Sequence, residues 1–190
     1  RDWSSDVCSS DLLKQKVIIY AIYKYIEPFK INKMFIFQYI FVFLVWTFMI
    51  YWIHRIVHNF NIPYISDFHW DHHEQVTDEN TIGLHWTNML LINDNIKSTL
   101  DLWCTEVIPT IIFCCLTGHW WILIGYYIWA AFIQEAVEHN KNFDWYPFMT
   151  SGKWHLEHHK DYKVNLSLFV PIWDILFKTY KRHEKSSNSL

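Results

Sequence analysis

The chain has 190 residues, of which 52% are hydrophobic, 19% aromatic and 18% charged, and its formal net charge is −3. A charged fraction below the roughly 25% of soluble domains favours a membrane protein, and the composition excludes a disordered, collagen-like or glycine-rich linker chain. The slightly acidic balance lacks the basic excess of a nucleic-acid-binding domain, so no nucleic-acid partner is expected.

The first twelve residues, RDWSSDVCSSDL, resemble a translated sequencing adapter, and the first methionine of the chain is Met34. We exclude residues 1–12 from fold reasoning as a non-native segment; the alternative is a genuine polar N-terminal loop. Residues 13–190 are then expected to form one domain that has lost sequence upstream of Leu13. Residues 17–26 are largely apolar and predict either a surface helix or the remnant of a span.

Two later apolar segments predict membrane-spanning helices. Residues 34–53 carry no charge over 20 residues, which at about 1.5 Å per residue is enough to cross a hydrocarbon core of about 30 Å. Residues 107–133 are apolar except around Thr117-Gly118, so they fit either one long helix or two short passes, 100–116 and 119–137. Glycine commonly ends a helix and favours the two passes. The prediction is an all-α, multi-pass membrane bundle.

Most of the 12 histidines fall into three groups with helical spacing. Rings that are three or four residues apart share one face of a helix. The groups are His54-x-x-x-His58, His69-x-x-His72-His73 and His155-x-x-His158-His159, and His139 is a ninth candidate. A hairpin of two short passes would return the chain to the face from which the first two groups project, so that all nine rings can meet.

Nine imidazoles are more than one zinc ion uses, since zinc takes four ligands, or three and a water when it is catalytic. Eight or nine nitrogen donors fit two octahedral metal ions with positions left open for O₂ and substrate. Imidazole binds several metals, and iron is the one that can activate O₂ toward an unactivated C–H bond. Two alternatives stay open: a membrane zinc-dependent hydrolase, and a non-catalytic metal- or haem-binding membrane protein.

The order and spacing of the three groups resemble those of the fatty acid hydroxylase / sterol desaturase superfamily, which consists of integral-membrane di-iron enzymes. Asn165 and the segment VPIWDILFKTY at 170–180 are similar to the family's sequence after its last histidine group, so the resemblance covers about residues 34–181. It implies two non-haem iron ions held by the nine histidines, with O₂ as co-substrate. It also implies hydroxylation or desaturation of a lipid or sterol-like substrate, with electrons from a separate cytochrome b5- or ferredoxin-type donor.

The stretch around Glu135 departs from the family pattern, because many members carry a histidine pair where this chain has only His139. Glu135 lies one helical turn before His139. Glu135 can therefore be a metal ligand, a residue that orients a histidine, or a packing residue within the membrane; we expect the second role, in which it assists catalysis without binding the metal itself. Glu138 is expected to point elsewhere.

Three further histidines stand outside the groups. His85 follows the second group in a local sequence unlike the family's, so its role as a metal ligand stays open. We expect His119 to lie at the membrane interface in the hairpin turn and His183 to lie on the surface. Lysine and arginine are more frequent after His139 than at Thr117-Gly118, which favours the cytoplasmic side for the histidine-bearing face.

Overall fold

The computed structural model describes Lys16, Tyr20 and residues 33–76, 85–144 and 146–182. Three features of the sequence analysis lie outside the described residues: the segment 1–12, the segment 17–26 apart from Tyr20, and His183. The chain divides into two units, 1–41 and 42–190. In the first unit the described residues are helical, and those with described side chains are exposed.

The longest helix, α1, covers Lys33–Asn59 and includes the whole predicted span 34–53. It continues beyond that span and carries His54 and His58 on its last two turns, as the sequence predicted. By length and composition, Phe35–Asn59 is one of two helices among the described residues that are apolar enough to cross a membrane.

The second such helix, α3, covers Ile96–Thr117, and a shorter apolar helix, α4, covers Trp121–Val137. The side chain of Asn95 caps the start of α3 by accepting from the backbone N–H of Ser98. Gly118 follows Thr117 with φ of 75°, a left-handed conformation that glycine adopts without steric cost. The prediction that the chain turns at Thr117-Gly118 between two helices, instead of forming a single helix over 107–133, is therefore confirmed.

Each helix of this hairpin contains one π turn, at Trp103–Val107 in α3 and at Ala130–Gln134 in α4. A π turn accommodates one more residue than a regular helical turn. The two π turns carry polar side chains that meet, because the Gln134 amide donates to the Glu106 carboxylate at 3.3 Å.

Short helices carry the rest of the described chain: α2 at Ile65–Gln75, a 3₁₀ turn at Trp86–Leu90, α5 at Lys153–Lys160 and α6 at Ile172–Leu176. In the described part of the chain there is no strand, only an isolated antiparallel bridge between Asp144 and Gly152. The all-α prediction is therefore confirmed.

The buried core joins α1, α3 and α4 to the segment just before α6. Trp46 of α1 packs on Phe169 and Tyr126, with ring centroids 4.6 Å and 6.0 Å away. The Trp46 indole N–H also donates to the Thr110 hydroxyl of α3 at 3.0 Å. This core fixes the last turns of α1, and with them His54 and His58, against the chain that follows.

Candidate metal centre

Nine histidines converge into two groups in which the nitrogen atoms lie within 4.8 Å of one another. The five-histidine group consists of His54, His58, His69, His73 and His158, and the four-histidine group consists of His72, His139, His155 and His159. The two groups are adjacent, because the rings of His73 and His159 stack with their centroids 4.2 Å apart. The structure thus brings together all nine histidines that the sequence singled out.

Helical spacing explains how the histidines divide between the groups. Residues four apart share a helix face, whereas a residue three apart is rotated by about 60° to the other side of that face. In α2, His69 and His73 enter the five-histidine group and His72 enters the other. In α5 the assignment is reversed, because His155 and His159 belong to the four-histidine group and His158 belongs to the five-histidine group. Each H-x-x-H-H motif therefore serves both groups.

Within the five-histidine group, Nε2 atoms point at one another at close range. The Nε2 atom of His58 lies 3.1 Å from that of His54, 2.9 Å from that of His69 and 3.0 Å from that of His158. The Nε2 atoms of His54 and His69 are 3.1 Å apart.

In three of these rings the other nitrogen, Nδ1, faces a hydrogen-bond acceptor. His54 Nδ1 lies 2.7 Å from the carbonyl oxygen of Leu166, and His158 Nδ1 lies 2.9 Å from that of Val164. His69 Nδ1 lies 3.0 and 3.1 Å from the two carboxylate oxygens of Asp101. An acceptor requires the hydrogen to be on Nδ1, which leaves a lone pair on Nε2 of the neutral ring.

Three such lone pairs around His58 cannot all be satisfied by one Nε2 hydrogen of that ring. The contact between His54 and His69 would set two lone pairs against each other at 3.1 Å. A bound cation removes this conflict, because each lone pair then points to a positive charge. The donor set therefore fits a metal ion.

Fewer ring nitrogens of the four-histidine group have a hydrogen-bond partner. The Nε2 atoms of His155 and His159 are 3.1 Å apart. Among the described residues, neither ring nitrogen of His139 has a hydrogen-bond partner, nor does Nδ1 of His155 or of His159, although all are buried. Buried polar atoms are normally paired, so these nitrogens also fit a ligand that the protein atoms do not supply.

Two buried carboxylates stand beside the four-histidine group. Glu135 Oε2 lies 4.0 Å from His139 Nδ1, and Glu138 Oε1 lies 3.7 Å from His155 Nε2. The approach of Glu138 differs from the expectation that it points elsewhere. Glu138 keeps helical dihedral angles, and its backbone N–H donates to the Gln134 carbonyl at 2.8 Å. It therefore lies only about 60° around the helix axis from Glu135 and meets His155 of α5 on that side.

Burial keeps these imidazoles neutral. It lowers the pKa of His72 to about 4 and that of His158 to about 3, because the charged form loses its hydration. Burial likewise holds the pKa values of His139, His155 and His159 well below the ordinary value, and neighbouring histidines add to the effect. Glu138 shifts in the opposite direction, since burial and then the nearby Glu106 raise its pKa well above the usual range for a carboxyl. Neutral imidazole is the form that binds a metal ion.

The remaining histidines lie elsewhere or outside the described residues. His85 is exposed, and its side chain caps the 3₁₀ turn at Trp86–Leu90 rather than entering either group. His119 lies in the turn between α3 and α4, half-buried, and His183 lies beyond the described residues.

The sequence analysis missed Asp101 and Glu106. Both are buried acids within an otherwise apolar helix, which is itself a signal of a functional position. With Glu135 and Glu138 they line a polar cavity of about 30 Å³ next to His54, His69, His72 and His155. Such a volume holds one or two water molecules.

A larger, apolar cavity of about 410 Å³ lies on the side of the core that contains Trp46. Its lining includes Phe43, Trp46, Trp121, Ile122, Gly125, Tyr126, Trp129, Phe148, Met149, Phe169 and Val170. Trp46 precedes His54 by eight residues of α1, which places the two about 12 Å apart along the helix axis. Leu168 borders the polar cavity and Phe169 the apolar one, so the two cavities are adjacent at these consecutive residues.

Comparison with known proteins agrees with this geometry. A model of the fatty acid hydroxylase family matches residues 39–179. A very-long-chain aldehyde decarbonylase, GL1-5 of Oryza sativa subsp. indica, is 27% identical over 157 residues, which is 75% of this chain and 23% of that protein. The chain therefore spans about a quarter of the length of that relative. No solved structure is significantly similar to the chain.

Proposed function

Because the chain belongs to the fatty acid hydroxylase family, we propose that it is a membrane-bound, O₂-dependent di-iron enzyme that hydroxylates or desaturates a C–H bond of a lipid. The observation that carries the proposal is the convergence of nine imidazoles into two adjacent groups. One metal ion in each group uses all nine donors, whereas a single zinc site would leave at least five without a role.

Four of the nitrogen–nitrogen spacings favour an octahedral ion over a tetrahedral one. With metal–nitrogen bonds of about 2.1 Å, neighbouring ligands are about 3.0 Å apart in an octahedron and about 3.4 Å apart in a tetrahedron. These four Nε2 separations within the five-histidine group are 2.9–3.1 Å. They match the octahedral value. Structural zinc sites are almost always tetrahedral, and five histidines already exceed four ligands.

Two iron ions, when bound, would supply the activation of O₂ that attack on an unactivated C–H bond requires. The chain's own residues prepare the site for them. Asp101 and the carbonyls of Val164 and Leu166 hold three rings with their Nε2 lone pairs turned inward. Burial lowers the pKa of His158 to about 3, which favours its neutral, metal-binding form, and burial excludes bulk water from the site.

The proposed reaction needs partners. Hydroxylation converts R–H, O₂, two electrons and two protons into R–OH and water, and desaturation with the same inputs gives an alkene and two waters. The two electrons come from outside, so we propose a separate cytochrome b5- or ferredoxin-type donor. The carboxylates of the polar cavity, Glu106, Glu135 and Glu138, can hold protons next to the imidazoles.

The apolar cavity is the proposed place for the substrate's hydrocarbon chain. Its aromatic and aliphatic walls offer no charged partner, which suits an alkyl chain and not a polar metabolite. Leu168 and Phe169 are consecutive residues that border the polar and the apolar cavity respectively, so the proposed substrate site lies next to the cavity beside the histidines.

We propose that the enzyme is multi-pass, with its histidines on the cytoplasmic side. Ile112 and Leu116 of α3 and Ile124 of α4 are exposed, as expected of side chains that contact lipid. A reporter fused after Leu190 should therefore lie on the same side as one inserted between Asp78 and Asn80. A reporter at Thr117–Gly118 should lie opposite or be shielded. Opposite locations for the first two reporters would contradict the proposal.

Metal analysis and product analysis together test the reaction. Protein purified with iron present should hold two iron ions per chain, whereas one zinc ion, or haem absorbance, would favour the alternatives. A host that expresses the protein with a compatible electron donor should accumulate a hydroxylated or unsaturated lipid. A shortened hydrocarbon would instead indicate the activity named for the rice relative. A protein with all nine histidines replaced by alanine serves as the control for endogenous products.

A further inference from the structure

One short backbone segment, residues 164–167, serves two histidines of the five-histidine group that come from different helices. The carbonyl of Val164 accepts from His158 of α5, and the carbonyl of Leu166 accepts from His54 of α1. The orientation of both rings therefore depends on how firmly this segment is held.

Asp174 of α6 fixes the segment from one side. Its side chain is fully buried, with 0% exposure. Its carboxylate accepts from the backbone N–H groups of Leu166 at 2.8 Å and Ser167 at 3.0 Å, and from the Thr179 hydroxyl at 2.7 Å. A carboxylate that receives three hydrogen bonds in the interior is a strong and directional anchor. The bond to Leu166 acts on the residue whose carbonyl faces His54.

Asn165 fixes the same segment from the other side. Its φ of 52° lies in the left-handed region, which asparagine tolerates better than most residues. Its side-chain amide donates to the carbonyls of Trp154 at 3.2 Å and Lys181 at 3.0 Å, and its oxygen accepts from the Lys181 N–H at 2.9 Å. Asn165 therefore ties the segment both to α5, which carries the third histidine motif, and to the chain after α6.

We propose that Asp174 and Asn165 are positioning residues of the five-histidine group, which fix the backbone of residues 164–167 so that its carbonyls hold His54 and His158 for metal binding. Neither residue touches the metal ion. This inference rests on the proposed function, since it takes the group to be a metal site. Loss of a residue that orients a metal ligand typically lowers metal affinity by about 10- to 100-fold.

The test measures metal affinity for each group separately. A variant with His155 and His159 both changed to alanine retains the five-histidine group, and a variant with His54, His58 and His69 all changed to alanine retains the four-histidine group. Asp174→Asn is introduced into both backgrounds, purified in detergent and titrated with Co²⁺, whose binding is followed by its visible absorption. Asp161→Asn is the matched control, because it removes the same charge from a more exposed side chain near the segment.

Asp174→Asn should raise the Co²⁺ dissociation constant about 10- to 100-fold where the five-histidine group remains, and leave it unchanged where the four-histidine group remains. Asp161→Asn should leave it unchanged in both backgrounds. An equal rise in both backgrounds would mean general damage to the fold, and no rise in either would mean that Asp174 positions nothing; each overturns the assignment. Absence of Co²⁺ binding in both parent backgrounds would overturn the proposed function itself, and the assignment with it.

A milder pair of variants keeps the test decisive if Asp174→Asn does not fold. Thr179→Val removes one of the three donors to Asp174, and Thr179→Ser retains it. In the background with the five-histidine group, Thr179→Val should weaken Co²⁺ binding and Thr179→Ser should restore it. Equal binding by both variants would overturn the assignment.

Discussion

Replacing Asp101 by asparagine removes one charge from beside the five-histidine group at almost constant volume. In the native protein both carboxylate oxygens face Nδ1 of His69 at 3.0–3.1 Å, and Asp101 is only 6% exposed. Asparagine can present its oxygen or its NH₂ group to that nitrogen. In the second case His69 takes the other tautomer, its Nε2 carries the hydrogen, and it cannot bind a metal ion.

The size of the effect follows from the bond that is lost. A buried hydrogen bond to a charged group contributes about 1.5–3 kcal/mol, which corresponds to about a 10- to 150-fold change in affinity. This agrees with the loss of about 10- to 100-fold that is typical when a residue orienting a metal ligand is removed. We therefore expect Asp101→Asn to bind one of its two metal ions more weakly by a factor in this range.

A chelator competition measures this directly. The purified protein is loaded with Co²⁺ or Fe²⁺ and challenged with increasing chelator, and the metal that remains bound is counted. Asp67→Asn is the matched control, because Asp67 lies on the same helix as His69 but is exposed. If Asp101→Asn retained both ions as firmly as the Asp67→Asn control, the argument that Asp101 sets the tautomer of His69 would be refuted.

Three further predictions concern the ligands, pH and the backbone. His73→Ala and His159→Ala should each lose one metal ion and all activity, and the double variant should lose both ions. Elemental analysis measures the bound metal, and full retention of metal in either single variant would contradict the division into a five- and a four-histidine group. The metal-free protein should lose thermal stability as pH falls from about 6.5 toward 4. The reason is that histidines of the unfolded chain bind protons in this range, whereas buried imidazoles such as His72, with a pKa of about 4, stay neutral. His72→Ala should make the melting temperature less dependent on pH, and an unchanged dependence would contradict this explanation. Gly152→Ala should destabilise the protein far more than Gly118→Ala. Both glycines have positive φ, but a Cβ at 152 would clash with the Phe143 carbonyl oxygen, while one at 118 meets nothing within 4 Å. Equal melting temperatures of the two variants would refute this.

The helices could be predicted because their signals are local. The uncharged run at 34–53 and the glycine at 118 predicted α1 and the hairpin, and the spacing within each histidine motif predicted helix faces. Periodicity alone did not predict that His72 and His158 cross to the other group from their motif partners, because that depends on what lies on either side of α2 and α5.

The atoms that orient the histidines were harder to foresee. Two of the acceptors are backbone carbonyls, of Val164 and Leu166, and a carbonyl is present whatever the side chain is. Asp101 is a different case, since an acid in an apolar helix is visible in the sequence, but its partner His69 is 32 residues away. Contacts at such separations depend on the tertiary fold and leave no periodic trace.

The two π turns determine where the hairpin helices can lose a residue. Deleting one residue from a regular helical turn rotates the segment that follows by about 100° and shifts it by about 1.5 Å. A π turn holds one extra residue, so deletion of Ile133 would leave a regular turn and keep the following segment in register. In α4 that segment contains Glu135 and leads directly to His139, and a deletion in the regular turns before the π turn would rotate both side chains away from the four-histidine group. Natural selection is therefore expected to tolerate loss of a residue within Trp103–Val107 or Ala130–Gln134 more readily than in the regular turns of α3 and α4.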